Sequence, residues 1–438
     1  MKKFNLGLFV VLNVVVIILL IYCFRPPKIL NIEYGDGINE ENKKKIIVNL
    51  KVNNKFKTTC YLGKEKVEAK NDKCSFYVEN GKYKIKIKNL NNTVEKDYKV
   101  NINEITSIDL DIKKYYLAVG ESIKLKEDIK YIGNPKINLS WKSSNSEVAS
   151  VENGVVKGLQ NGETEIIVES ENKKQAKSKI IVTDLISPYT LSLTKPVIPC
   201  NYYTEEQASL LDEILATRVE IKGEGTRAAL IETIRFLPLS FKYKIPYFFE
   251  NGRLEPYDRM HYVDGEGRYY NKGLYLSESK KNKIKSSFAG PAIWGCPLTN
   301  YDTSYGWVFG GRYPNGLDCS GFVTWAFYNS GLDVGDIGSG VTSGQKDVSD
   351  LGEMHELTYE YANNGDYKVG DIIARDGHTA LIAGKDDENI YIAESLLKGV
   401  VIETFSYRDK NSKLYKLYGY INKLDGIYKS DGIYNDMW

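Results

Sequence analysis

The stretch Trp307–Gly331, WVFGGRYPNGLDCSGFVTWAFYNSG, decides how the C-terminal part of this 438-residue chain folds. Its first half is punctuated by Pro314 and Gly316, which excludes a helix interior there. From Cys319 onward, apolar residues recur every three or four positions, the spacing of an amphipathic helix. Asp318 directly precedes this run and is a favourable N-cap residue. The sequence therefore predicts that Cys319 lies in the first turn of a helix.

A cysteine at a helix start has two interpretations. The free N–H groups and the macrodipole favour a thiolate and can bind a developing oxyanion. A free cysteine is more often a small buried hydrophobe. On position alone, Cys319 stays open between a nucleophile and a core residue.

A cysteine nucleophile usually works with a histidine, and the chain has three: His261, His355 and His378. The first two stand among polar residues typical of a surface. His378 begins an apolar run, where a buried structural histidine is the alternative interpretation. We interpret its surroundings as three strands, residues 371–374, 378–383 and 390–395.

Two segments together resemble a known family. WVFGGRYPNGLDCSGFV followed by VGDIIARDGHTALIAG is similar to the NlpC-type cell-wall peptidases, a papain-like group of cysteine endopeptidases. The shared pattern is an aromatic–x–aromatic–Gly–Gly run, Asp–Cys–Ser–Gly, a later Gly–Asp, and a histidine that begins an aliphatic strand. The resemblance covers roughly residues 290–425. It implies an α+β papain-like catalytic domain.

The resemblance also implies roles for single residues. Cys319 would attack an amide carbonyl, and His378 would hold or relay the proton. Asp318 and Ser320 would line the substrate groove. The implied substrate is the peptide stem of peptidoglycan, cut most often after γ-linked D-glutamate.

One departure from the family pattern concerns the substrate. The family usually has a tyrosine where this chain has Trp307, and that hydroxyl is implicated in recognising a free stem amine. An indole N–H donates but does not accept a hydrogen bond. Tyr305, two residues away, either compensates or only packs.

A second departure concerns the residue that orients the histidine. The family normally places a polar side chain, often a histidine, on the following strand, and this chain has no histidine there. We predict Glu394 for the role, because a carboxylate accepts from His378 and steadies an imidazolium. A hairpin register shifted by one residue would put Ala393 or Ser395 in its place. A solvated edge-strand carboxylate is the other interpretation of Glu394.

The sequence before residue 185 is typical of β-structure. Apolar residues alternate on both sides of Asn80-Gly81, in SFYV and YKIKI, which predicts a tight hairpin. LAVGESIKL, followed by LSWKSSNSEVASVENGVVKGLQNGETEIIV, resembles the group 2 bacterial Ig-like domain. We interpret both β units as spacers or stalks.

The N-terminus carries two lysines and then an uncharged run, Phe4–Phe24. At about 1.5 Å per residue, such a run spans a hydrocarbon core of roughly 30 Å. We predict an uncleaved signal anchor with the rest of the chain exported. Bulky residues argue against a cleaved signal peptide and against lipid modification at Cys23.

The amino-acid composition excludes some classes of protein. A net charge of +2 gives no strong field for nucleic acid. The six cysteines form no C-x-x-C pair, which excludes a zinc ribbon, and we expect neither a metal nor a cofactor. Export permits disulfides. Cys60 with Cys74 is one candidate and Cys200 with Cys296 a weaker one, with unpaired thiols as the alternative.

The predicted fold class is multidomain: an N-terminal transmembrane helix, two all-β Ig-like sandwiches and an α+β papain-like catalytic domain. The predicted function is a membrane-anchored peptidoglycan endopeptidase on the extracytoplasmic face, toward the cell wall, whose Ig-like units contact the wall or exported proteins. The alternatives are a papain-like amidase or acyltransferase on another substrate, and an Ig-like adhesin with an inactive catalytic domain. The predicted boundaries are 1–27 for the anchor, 28–102 and 103–185 for the Ig-like units, and 186–438 for the catalytic domain with a helical extension.

Overall fold

The structure is a computed structural model. It describes residues 6–23, 25–52, 57–90, 92–191, 194–248, 272–280, 288–301, 303, 307–335, 337–338 and 348–432. Two compact units divide the chain. The first is Met1–Asp111, Leu125–Lys142 and Ile167–Lys177, and the second is Ile112–Lys124, Ser143–Ile166 and Ser178–Trp438. Strands dominate the described residues and helices are few.

The first element is helix α1 (Leu6–Cys23), which has 18 residues. In the described ranges, no helix combines the length and the apolar character that a membrane crossing needs. The transmembrane helix in the predicted fold class is therefore wrong, and the structure does not support the membrane anchor predicted with it.

The strands after α1 form a β-sandwich. One sheet has the order β1-β2-β5 and the other β4-β3-β6-β7. A disulfide joins Cys60 of β3 to Cys74 of β5, so it links the two sheets inside their shared core. The strands are β1 (Lys28–Ile38), β2 (Lys44–Lys51), β3 (Thr58–Leu62), β4 (Glu65–Glu68), β5 (Lys73–Val78), β6 (Gly81–Asn89), β7 (Asn92–Val100) and β8 (Glu104–Leu110).

The hairpin predicted at Asn80-Gly81 is wrong. β5 pairs with β2, whereas β6 pairs with β3 and β7, so the turn carries the chain from one sheet to the other. The Asn80 side chain donates to the carbonyl of Ile102 at 2.7 Å and accepts from its N–H at 2.6 Å. These two bonds hold the turn against a later part of the chain instead of against a hairpin partner.

A second group of strands follows, in the region that resembles an Ig-like domain. β11 pairs with β8, a three-stranded sheet has the order β10-β14-β13, and a four-stranded sheet has the order β12-β15-β16-β9. The pairing of β16 with β9 is parallel. The strands are β9 (Lys114–Ala118), β10 (Ser122–Lys124), β11 (Glu127–Ile132), β12 (Leu139–Ser143), β13 (Ala149–Glu152), β14 (Val155–Gly158), β15 (Gly162–Ser170) and β16 (Gln175–Thr183).

The remaining residues pack helices against an antiparallel sheet of order β20-β25-β21-β22-β23-β24. Thr204 and Gln207 form the predicted capping box at the start of α2. The helices are α2 (Glu205–Lys222), α3 (Arg227–Arg235), α4 (Cys319–Asn329), α5 (Tyr359–Asn364) and α6 (Leu414–Leu417). The strands are β17 (Phe288–Ala289), β18 (Pro297–Asn300), β19 (Arg312–Pro314), β20 (Glu353–Glu356), β21 (Ile372–Arg375), β22 (His378–Lys385), β23 (Asn389–Leu396), β24 (Gly399–Ser406) and β25 (Tyr420–Lys423).

Helix α4 packs on the centre of that sheet, against β22 and β23. Its apolar face, with Phe322 and Trp325 fully buried, belongs to the same core cluster as Leu381 of β22 and Ala393 of β23. This packing brings the first turn of α4 next to the first residue of β22. The fold thus sets Cys319 beside His378.

Candidate active site

The site is built on the N-terminus of α4, where the helix begins at Cys319. Asp318 caps it, because its carboxylate accepts from the Gly321 N–H at 2.7 Å. The Ser320 hydroxyl donates to the same carboxylate at 3.3 Å. The side chains of Asp318 and Ser320 thus fix the helix start. Cys319 itself is buried, with 5% of its surface exposed.

The loop before α4 is fixed to the sheet. The Ser395 hydroxyl of β23 donates to the carbonyl of Leu317 at 2.6 Å. A disulfide between Cys200 and Cys296 lies near the same loop, and the Asn315 N–H donates to the carbonyl of Cys296 at 3.0 Å. Because both contacts fall within four residues of Cys319, the position of the thiol depends on the sheet and on this disulfide.

Glu394 lies directly beside His378. The Nε2 atom of His378 is 2.6 Å from Oε2 of Glu394, and both side chains are buried. The Tyr418 hydroxyl donates to the same carboxylate oxygen at 2.8 Å. The strand register explains the contact: Leu381 pairs with Ala393, so Glu394 follows on the face that carries His378.

The pKa of His378 depends on burial and on the charged groups around the ring. Burial acts to lower this pKa, but the hydrogen bonds and charges of Cys319 and Glu394 outweigh burial and raise it to about 9. Nε2 faces Glu394, which leaves Nδ1 for the Cys319 thiol. At neutral pH the ring is therefore an imidazolium held between a carboxylate and a sulfur. This arrangement places a positive charge beside the sulfur.

Tyr418 completes the surroundings of the carboxylate. Burial raises the pKa of its phenol, and the charge of Glu394 raises it further. The hydroxyl therefore stays protonated and acts as a donor. Sequence reasoning missed Tyr418, which lies 24 residues beyond Glu394 with no motif around it.

A cavity of about 480 Å³ opens beside His378 and Glu394. The exposed Arg375 lines it, as do Leu397, Lys398 and Glu403. Leu397 is 88% exposed. The cavity thus has an apolar part and charges of both signs next to the histidine.

Of the two aromatic residues predicted to bind substrate, Trp307 and Tyr305, the structure describes only Trp307. Trp307 packs edge-on against Tyr313, with ring centroids 4.6 Å apart, and more distantly against Phe288. The indole therefore supports the loop that leads to Cys319. Tyr305 lies outside the described residues, as does His261.

The Gly–Asp part of the motif has a structural explanation that the sequence did not reveal. Asp371 is buried and accepts from the Arg227 guanidinium at 2.7 Å. Arg227, which is fully buried, also contacts Asp425 at 2.8 Å and Asp431 at 3.0 Å. The network fixes the start of β21, which pairs with β22 and so positions His378.

No cluster of three or more metal-ligating side chains occurs in the described part of the chain. The chemistry that these residues can support is nucleophilic: a thiol at a helix start, a histidine in contact with it, and a carboxylate on the other ring nitrogen.

Comparison with family models gives two matches. Residues 303–413 match the NlpC/P60 family, and residues 104–181 match the bacterial Ig-like domain (group 2). Both resemblances drawn from the sequence are thereby confirmed. The first match supports a peptidoglycan-related family of cysteine peptidases and hydrolases. No curated protein matches the sequence.

Solved structures show only partial likeness. Domains 4 and 5 of the S-layer protein SbsC are 23% identical, with 24% of this chain and 67% of that chain covered and a TM-score of 0.19. A C-terminal fragment of intimin, solved in complex with the intimin-binding domain of Tir, is 18% identical, with coverage of 43% and 79% and a TM-score of 0.27. The ectodomain of mouse nectin-like molecule 4 is 11% identical, with coverage of 36% and 64% and a TM-score of 0.19.

Proposed function

We propose that the chain is a cysteine endopeptidase that hydrolyses amide bonds in the stem peptides of peptidoglycan. One observation carries the proposal: Cys319 begins α4 in contact with His378, whose Nε2 atom lies 2.6 Å from Glu394. The match of residues 303–413 to the NlpC/P60 family supports the choice of substrate class.

Acylation follows from this arrangement. The Cys319 thiolate attacks the carbonyl carbon, the C–S bond forms, and the π electron pair moves to the oxygen. The intermediate then collapses, the C–N bond breaks, and the leaving amine takes the proton from the His378 imidazolium. Glu394 stabilises the imidazolium before this transfer and orients the ring throughout.

Deacylation regenerates the enzyme. His378, now neutral, takes a proton from water as the water oxygen attacks the thioester. The C–S bond breaks, the stem acid leaves, and the thiolate and imidazolium are restored. Atoms and charges balance with no co-reactant other than water.

For the bond that is cut, we favour the one after γ-linked D-glutamate. Stem peptides carry free carboxylates, and Arg375 and Lys398 place positive charge on the cavity wall beside His378. Lys398 also pairs with Glu403, so Arg375 is the stronger candidate for holding a substrate carboxylate.

The proposed place of action is outside the cytoplasm, at the cell wall. The two disulfides support this proposal, because such bonds persist in oxidising compartments and are rare in the cytosol. The proposed role of the Ig-like units is to contact the wall or other exported proteins.

The test uses the full chain with its disulfides intact, incubated with purified muropeptides and followed by mass spectrometry of the products. We expect a mass gain of one water per cleaved amide, and no product from a Cys319→Ala variant of equal thermal stability. Intact muropeptides after long incubation contradict the proposal and favour an inactive, adhesive protein. A product with a new acyl bond in place of hydrolysis indicates an acyltransferase.

A further inference from the structure

A short segment, residues 245–248, runs alongside the loop that leads to Cys319. The N–H of Leu317 donates to the carbonyl of Pro246 at 3.1 Å, and the N–H of Phe248 donates to the carbonyl of Leu317 at 3.3 Å. These bonds lie on either side of Tyr247. Tyr247 therefore sits beside Leu317, two residues before the nucleophile.

The segment is rigidly placed. On its other side, the N–H of Val400 in β24 donates to the carbonyl of Ile245 at 2.9 Å. A Cβ atom at Gly316 would lie 1.7 Å from the carbonyl oxygen of Pro246, so only glycine permits this approach. A side chain on such a segment is held in position before any substrate arrives.

Tyr247 lies near the charged groups of the site and is less buried than its neighbour Phe248. Phe248 is 2% exposed and belongs to the main apolar cluster, and neighbouring side chains of an extended segment point to opposite sides. Tyr247 is only partly buried. Burial raises the pKa of its phenol, and the nearby charges of Asp318 and Cys319 raise it further. The hydroxyl therefore stays protonated and is available as a hydrogen-bond donor.

We propose that Tyr247 is a catalytic residue whose hydroxyl donates a hydrogen bond to the oxygen of the carbonyl under attack, next to the N–H groups at the start of α4. The inference rests on the proposed cysteine chemistry. Negative charge moves from the Cys319 sulfur to that oxygen as the C–S bond forms, and it returns when the amine leaves. A donor on a fixed segment near the nucleophile can follow this charge with little rearrangement.

Tyr247 lies outside residues 303–413, the range that matches the peptidase family. Within that range, the indole of Trp307 packs on Tyr313 in the loop. The phenol of Tyr247 is instead contributed by a segment that precedes the matched range. The segment that follows the helical extension is thus, in this proposal, part of the catalytic machinery.

The test compares two reactions of Cys319 in the full chain. p-Nitrophenyl acetate acylates the thiol through a tetrahedral oxyanion, whereas iodoacetamide alkylates it by displacement at carbon without one. For Tyr247→Phe we expect acylation to slow by about 10²- to 10³-fold, and alkylation to change by less than about threefold. Tyr243→Phe is the matched control, because its ring packs on Tyr202 and Phe241; we expect both of its rates to equal wild type.

Two results overturn the inference. One is a Tyr247→Phe variant that acylates at the wild-type rate. The other is a parallel fall in acylation and alkylation, which places the hydroxyl's effect on the thiolate and not on the oxyanion. Neither reaction uses a wall substrate. Wild type that is acylated but leaves muropeptides intact contradicts the proposed substrate, and the Tyr247→Phe comparison still decides the inference.

Discussion

The Nε2 atom of His378 lies 2.6 Å from Oε2 of Glu394, and the two side chains are 9% and 2% exposed. A carboxylate so close and so well shielded from water holds the ring in one orientation and favours its charged form. The other ring nitrogen is thereby directed to Cys319.

Replacing that carboxylate tests its part in catalysis. We expect Glu394→Gln to lower kcat/KM by about 10²- to 10⁴-fold, because the variant loses the charge that stabilises the imidazolium. NMR titration should show the pKa of His378 below its wild-type value of about 9. Glu388→Gln, an exposed carboxylate just before β23, is the control and should leave both measurements unchanged. An unaltered pKa in Glu394→Gln argues against the assignment.

The pH dependence follows from the raised pKa of His378. The ring titrates near 6.5 when unfolded and near 9 when folded, so its stabilising contribution is complete below about 6.5 and is lost as the pH rises through about 9. We expect kcat/KM to fall as the pH rises through the same range, because a neutral ring cannot protonate the leaving amine. Denaturant unfolding of wild type and His378→Gln across this range measures the first effect. If the stability advantage of wild type over His378→Gln grows with pH, the raised pKa of His378 is contradicted.

Tyr418 acts through Glu394. We expect Tyr418→Phe to lower kcat by about tenfold with little change in KM, since it removes one hydrogen bond to the carboxylate and keeps the ring. The pH profile separates this role from a packing role: loss of the donor should shift the upper limb, whereas loss of packing should lower the whole profile evenly. Tyr415→Phe, whose hydroxyl donates to the Tyr407 carbonyl, is a control on the short helix that ends just before Tyr418.

Arg227 should contribute more to stability than Lys368, which contacts the same two surface carboxylates. We expect Arg227→Met to lower the free energy of unfolding by about 3–5 kcal/mol, because it leaves Asp371 buried without its cation. Lys368→Met removes a half-exposed cation from Asp425 and Asp431 and should cost less than about 1 kcal/mol. Urea unfolding of the two variants gives the comparison, and equal losses would count against the network as described.

The two disulfides should contribute unequally. The Cys200–Cys296 bond closes a sequence separation of 96 residues, and the Cys60–Cys74 bond one of 14. From loop entropy, we expect serines at Cys200 and Cys296 to lower the free energy of unfolding by about 4.7 kcal/mol. Serines at Cys60 and Cys74 should lower it by about 3 kcal/mol. Only the first replacement should also lower hydrolysis, since it frees the loop near Cys319. Activity assays of the two double variants before and after dithiothreitol check this, and a larger activity loss in the Cys60 and Cys74 variant contradicts it.

Local chemistry explains what the sequence predicted well. The capping of α4 by Asp318 depends on adjacent residues, as does the start of β22 at His378, and both are visible in a short window. The prediction that Glu394 contacts His378 depended on the register of the hairpin formed by β22 and β23. The structure has an irregularity between Ile382 and Gly384 that a strict alternation does not anticipate.

Long-range contacts explain what the sequence could not predict. The Asn80-Gly81 turn has the residues of a hairpin, yet Asn80 bonds to Ile102 and the flanking strands enter different sheets. Tyr247 and Tyr418 reach the site from segments without a motif. Arg227 meets Asp371 across a separation of 144 residues, which no local pattern encodes.

The position of β25 has a consequence for the order in which the molecule is made. This strand comes after every proposed catalytic residue in the chain, yet it lies inside the sheet, between β20 and β21. A nascent polypeptide that has emerged only as far as His378 lacks the neighbour of β21 and the carboxylates of Asp425 and Asp431 that neutralise Arg227. Ribosome-bound or prematurely terminated chains therefore lack contacts that hold the proposed site in place, and we expect the proposed activity only once synthesis has passed this strand.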